Sequence, residues 1–107
     1  MANESLEKKL ISLEDIDRVV HEPARLLILC HLYVLKSADF LYLLRNTGLT
    51  RGNLSAHMRK LESAGYVDVE KTFVDRLPLT VFRLTRAGRT ALRKYRKQMT
   101  SGLSVVD

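Results

Sequence analysis

The hydrophobic period of this chain changes twice, and those two changes constrain its fold more than any other feature. Leu54, Met58 and Leu61 recur at helical spacing, and the segment that holds them stops at Gly65. Directly afterwards Val67, Val69, Lys71 and Phe73 alternate with Asp68, Glu70 and Thr72, the two-residue period of a half-buried strand. Val74-Asp75-Arg76-Leu77-Pro78 reads as a turn, and residues 79–84 as the return strand with Phe82 and Leu84 on one face. From Thr85 the helical period returns. A lone hairpin is marginal in water, so this one needs helices against its apolar face. The expected class is mainly α with a small β-hairpin (α+β).

The residues before Gly65 divide into four helices. Leu6, Leu10, Leu13, Ile16 and Val20 recur at three- and four-residue steps, which predicts a first helix over roughly residues 5–20. Ser12, followed by Leu13-Glu14-Asp15, carries a helix-start signal within that stretch. His21-Glu22-Pro23 ends it, because the residue before a proline avoids the helical region. Pro23 suits the first turn of a second helix over residues 23–36. That helix is apolar on most faces (Leu26, Leu27, Ile28, Leu29, Leu32, Val34, Leu35) and should be central. After a break at Ser37-Ala38-Asp39, Asp39 caps a short helix over residues 40–46, ended by Thr47-Gly48. Thr50 caps a fourth helix over residues 51–64. Beyond the hairpin, Thr85 caps a last helix from Arg86 to about Met99, with a frayed tail over residues 100–107. Two short helices joined by a tight turn and followed by a hairpin make a winged helix-turn-helix.

Length and charge agree with a single unit. The 107 residues suit one domain, with no repeat or linker. A core of this size is modest, and a partner subunit would help it. Net charge is +6, unevenly placed: residues 1–50 hold 6 basic and 7 acidic side chains (−1), and residues 51–107 hold 12 and 5 (+7). One basic half attracts polyanions, although a solvated basic surface is the plainer alternative. The single cysteine, Cys30, cannot close an internal disulfide, which points to a reducing compartment. The longest apolar run, residues 26–35 interrupted by His31, is too short for a membrane span of ~20 residues. The opening Met1-Ala2-Asn3-Glu4-Ser5 does not read as a signal peptide, so the expected location is the cytoplasm.

The helix-turn-helix, Asp39 to Gly65, carries the candidate function. On a wheel of the fourth helix, Leu54, Met58 and Leu61 face the core, while Gly52, Ala56, Arg59 and Ser63 face away, flanked by Asn53 and Lys60. Small residues permit close approach to a groove. Asn and Arg suit adenine and guanine edges, and Lys suits phosphate. Thr50, Arg51 and Ser55 can reach bases or backbone from the N-terminal end. An ordinary surface helix is the alternative, but Gly52 would then cost about 1 kcal/mol against Ala for no return. His57 borders the core and reads as a packed or phosphate-bonded histidine. On the hairpin, Arg76 at the tip and Lys71 and Arg83 on the arms can meet a minor groove or phosphates; otherwise they only guard a solvated edge. The last helix has Arg86, Arg89, Arg93, Arg96 and Lys97 in a row that either flanks DNA or is solvated. Leu6, Leu10 and Leu13 on the first helix and Leu92, Tyr95 and Met99 on the last form apolar stripes. These either complete the monomer core or, as favoured here, pack across the two-fold axis of a homodimer.

Three stretches resemble a known family: His21-Glu22-Pro23-Ala24-Arg25-Leu26, then Leu49-Thr50-Arg51-Gly52-Asn53-Leu54-Ser55 running on to Leu61-Glu62-Ser63-Ala64-Gly65-Tyr66-Val67, then Phe82-Arg83-Leu84-Thr85-Arg86-Ala87-Gly88-Arg89. They resemble the archaeal and bacterial winged-helix transcriptional regulators of the broad MarR/ArsR-like superfamily. The resemblance covers about residues 13–95. It implies a homodimer on a pseudo-palindromic operator, with residues 50–60 as recognition helix and residues 71–83 as wing. Metal-sensing relatives pair cysteines or cluster His with acids; Cys30 beside His31 does neither, so no metal or other cofactor is implied. A small-molecule effector fits the family, but the resemblance names none.

Two other classes compete. An enzyme would need a nucleophile–base set or phosphate loop, and none stands out; Cys30 and His31 point about 100° apart on a helix, and Cys30 lies in a core-like run. A winged helix can also dock proteins or RNA. Docking would favour exposed apolar or aromatic residues on the fourth helix, where Arg, Asn and Lys stand among small residues instead.

Overall fold

The computed structural model describes residues 2–107, with side chains described from Ser5 onward. Five helices and three strands follow in the order α1 (Ala2–Glu14), α2 (Pro23–Leu35), β1 (Ser37–Asp39), α3 (Phe40–Thr47), α4 (Arg51–Ser63), β2 (Val67–Val74), β3 (Leu77–Leu84) and α5 (Arg86–Leu103). This is the winged helix-turn-helix. The caps act as local chemistry requires. Asp39 accepts from the Tyr42 amide, Thr50 from Asn53 and Thr85 from Gly88, each satisfying an amide that the helix start leaves open. Gly48, with φ +71°, reverses the chain between α3 and α4 in a conformation that a side chain would disfavour.

Behind α4 the core is built from Ile28, Leu29 and Leu32 of α2, Leu43 of α3, Leu54, Met58 and Leu61 of α4, and Val67 and Phe82 of the sheet. The sheet order is β1-β3-β2, all antiparallel. Its third strand is β1, where Ser37, Ala38 and Asp39 pair with Arg83, Phe82 and Val81. The sequence reading had only a break there. Strand β3 also starts earlier than expected, at Leu77, because the turn is just Asp75-Arg76, both at positive φ (51° and 68°). Pro78 is tolerated inside the strand for a geometric reason. Val74 and Leu77 close the two-residue turn, so at the next pair, Phe73 and Pro78, backbone N–H positions point away from the partner. Strand β1 does not reach that far along β3, so no acceptor is orphaned.

The ends of the chain differ most from the sequence reading. Helix α1 stops at Glu14, not near residue 20, because the Asp17 carboxylate accepts from the Val19 and Val20 amides and bends the chain. Ser12 does not cap; mid-helix, its hydroxyl donates to the Lys8 carbonyl. Helix α5 runs on to Leu103, beyond Met99, because α1 covers its last turns: Gly102 is buried, and an added Cβ there would strike Leu13. Nor is α2 buried all round, since Leu27, Cys30, Val34 and Leu35 are exposed. Cys30 therefore lies outside the core. Gly88 seats the first turn of α5 against the Tyr66 carbonyl, with no room for a methyl.

Helix α1 packs chiefly along α5, and together they form an arm. The molecule measures 63 × 25 × 21 Å, and its radius of gyration is 16.5 Å, against about 13 Å for a compact domain of this length.

Candidate nucleic-acid interface

Helix α4 stands on its leucines. Leu54, Met58 and Leu61 are buried, which turns the opposite face outward: Arg51, Gly52, Asn53, Arg59, Lys60 and Ser63 are exposed, with Ser55 and Ala56 half-buried beside them. Thr50 is exposed at the N-terminus. Among the described residues no acid pairs with Arg51, Arg59 or Lys60, so their charge is open to a polyanion. The Arg51 guanidinium lies 5.8 Å from the Phe40 ring centre, which leans it on α3. No large apolar residue of α4 is exposed.

Gly52 supplies the clearest sign of an outside demand. It has ordinary helical φ, and a Cβ built on it meets no atom within 4 Å. Nothing within the chain requires glycine there, although glycine weakens a helix.

His57, on the flank of α4, is tied backward. Its Nδ1 lies 3.2 Å from an Arg25 guanidinium nitrogen and 3.6 Å from the Glu22 carboxylate. Arg25 is only 8% exposed; its Nε donates to the Val19 carbonyl and its other terminal nitrogen to that of Arg18. Glu22 caps α2 through the Arg25 amide. Burial pushes the Glu22 carboxyl up, but the Arg25 and Ala24 amides, with the charge of Arg25, outweigh it and hold the group below its ordinary value.

The wing is mixed in character. Arg76 and Lys71 are exposed and unpaired among the described residues. Arg83 is exposed but engaged, donating across the hairpin to Glu70 at 2.5 Å. The tip also exposes Phe73 (70%), Val74 and Leu77 (69%). Alternation alone placed Phe73 on the half-buried face; the hairpin outruns the core there, so no partner element covers it.

The row on α5 is partly anchored. Arg93 Nε donates to the Tyr33 hydroxyl at 2.8 Å, and Arg89 lies over the Tyr33 ring at 4.8 Å. The hydrogen bond from Arg93, with the second arginine, holds the Tyr33 hydroxyl below its ordinary pKa. Of the two apolar stripes, Leu92 and Tyr95 are buried against the core of the same chain, Tyr95 hydrogen-bonding His21. Met99 and Leu13 are half-buried, while Leu6 and Leu10 are exposed on α1. Between α2 and α5 runs a groove of about 720 Å³, floored by Leu26, Tyr33, Val34 and Met99 and edged by Arg93 and Arg96. Among the described residues no three His, Cys, Asp or Glu side chains gather as metal ligands, and no helix is long and apolar enough to cross a membrane.

Comparison with known proteins places this geometry. Residues 24–103 match the model of a winged helix DNA-binding domain. An uncharacterised protein of Methanocaldococcus jannaschii is 35% identical over 78 residues, 73% of this chain and 85% of that one. The structure of a transcriptional regulator homologue from Pyrococcus horikoshii superposes with a TM-score of 0.84 at 28% identity, covering 94% of this chain and 98% of that one. A PadR family transcriptional regulator from Eggerthella lenta shares the fold, with a TM-score of 0.63 at 24% identity over 75% and 77% of the two chains.

Proposed function

The chain belongs to the winged helix DNA-binding domain family, and from that premise we propose that it is a sequence-specific transcriptional regulator that reads double-stranded DNA as a homodimer. Helix α4 enters the major groove. Asn53 and Arg59 read base edges, helped by Ser55 and by the close approach that Gly52 and Ala56 permit. Thr50, Arg51 and Lys60 hold phosphates, and Arg76 and Lys71 of the wing meet the minor groove or the backbone. Arg83, engaged by Glu70, contributes through the backbone only if that pair opens.

The observation that carries this reading is Gly52, a helical glycine with no intrachain reason, in the first turn of an exposed cationic face. The absence of large exposed apolar residues from α4 favours a duplex over a docked protein. The arm supports the dimer. Leu6 (44%), Leu10 and Ile11 on α1 and Leu103, Val105 and Val106 at the other terminus are all exposed. A second copy covering the arm would bury that surface and put two α4 helices on one duplex.

The test is selection of bound duplexes from a random-sequence pool, followed by fluorescence anisotropy over a salt series. The proposal requires an enriched inverted repeat, half-sites about one helical turn or a multiple of it apart, and affinity that falls steeply with salt. A pool that emerges unenriched, with weak and sequence-indifferent binding, refutes it.

A further inference from the structure

Arg25 is a buried cation with no carboxylate in salt-bridge contact among the described residues. A buried charge is costly unless it is paired or hydrogen-bonded, and each of the three side-chain nitrogens of Arg25 makes a hydrogen bond. Two of the acceptors are carbonyls of the connector between α1 and α2, Val19 and Arg18. The third is Nδ1 of His57, on α4. Arginine can only donate, so the lone pair on His57 Nδ1 accepts, and the neutral ring carries its proton on Nε2. The connector is further pinned by Tyr66, which donates to Asp17, and by His21 against Tyr95. Helix α1 has α5 as its main packing partner, so this connector is its covalent route into the body beside α2 and α4.

We propose that Arg25 is a positioning residue for DNA reading: through His57 it fixes the flank of α4 relative to the connector, and so couples the α1 arm to the helix that reads the bases. Arg25 cannot itself touch DNA, because its side chain is covered by the connector and α4. Its effect on reading passes through His57. This rests on the assignment of α4 as the reading element, and adds to it a residue outside the helix-turn-helix.

The experiment compares affinity for the duplex selected by the wild-type protein with affinity for a random-sequence duplex. The variants are Arg25→Lys, His57→Leu, His57→Asn and Arg25→Lys with His57→Leu, each checked for folding by circular dichroism. His57→Leu removes the acceptor. It should weaken binding to the selected duplex about tenfold, within the usual range for coupling through a packed network, and leave random-duplex affinity within about twofold. His57→Asn puts an amide oxygen near the place of Nδ1 and should keep the selected-site affinity within about twofold. In the His57→Leu background, Arg25→Lys should add no further loss. If Arg25→Lys does not fold, the two His57 variants decide alone. Equal loss in Leu and Asn variants, or loss in neither, overturns the proposal. Parallel loss on both duplexes would mean a general defect and overturns it too. Failure of the wild-type protein to select any sequence refutes the assignment of α4 itself, an outcome distinct from a selected site that the His57 variants still bind.

Discussion

Gly52→Ala separates what the fold wants from what DNA wants. The position has helical φ, and the new methyl meets nothing within 4 Å, so the substitution adds no strain inside the chain. Alanine is favoured over glycine inside a helix by about 0.5–1 kcal/mol, and less in the first turn, so a gain near 0.5 kcal/mol is expected. For a domain of this size that is a rise in Tm of about 2–4 °C. On the proposed reading the same methyl stands where α4 approaches the groove and should overpack that contact, at a cost of about 1–3 kcal/mol. That is roughly a 5- to 150-fold loss in affinity for the selected duplex. Thermal unfolding by circular dichroism and anisotropy titration read the two effects on one sample. A variant that melts higher yet binds as tightly as the parent would show that the first turn of α4 does not approach DNA. A variant that melts lower would show that glycine serves the fold after all.

Other perturbations test other parts of the account. Asn53→Ala should weaken binding to the selected duplex more than to random duplex, measured by anisotropy on both. Arg76→Ala should weaken both alike and reduce the slope of log K against log salt by about one. The hydrogen bond to Asp17, with burial and the Asp17 charge, pushes the Tyr66 hydroxyl up to about 12 from 10, since each favours the neutral phenol. A raised folded value means stability that is whole below pH 10 and drains away as pH climbs towards 12. Urea unfolding at pH 9 and pH 11 should show that loss, and Tyr66→Phe should be less stable at pH 9 and lose less than the parent over the interval. Light scattering should give about twice the 12.2 kDa chain mass, and Leu10→Glu on the arm should return it to one chain.

What the sequence revealed and what it hid divide by range. Thr50, Asp39, Thr85 and Gly48 act on amides and carbonyls within a few residues, so their roles were legible one at a time. The inner and outer faces of α4 followed from the spacing of Leu54, Met58 and Leu61. Strand β1 did not show, because three residues carry no period; only pairing with Arg83, Phe82 and Val81, far along the chain, makes them a strand. The Asp75-Arg76 turn lacks the glycine or asparagine that usually announces positive φ, so the hairpin looked longer in its loop than it is. The early end of α1 at the Asp17 turn was masked by Ile16 and Val20. They continue the apolar spacing, but Val20 enters the core from a connector, with Ile16 packed at its edge. At the site, nothing in the spacing singled out Arg25, because its hold on His57 joins residues more than thirty positions apart. The apolar wing tip was hidden because alternation predicts a face, not whether anything covers it.

The central claim is that the outward face of α4 reads base edges, and the most direct measurement is the duplex selection repeated with Arg59→Ala. The account predicts an inverted repeat that keeps its half-site spacing and loses its preference at one position in each half-site, with discrimination there falling by about 1–3 kcal/mol. The same motif recovered with undiminished preference at every position would contradict it.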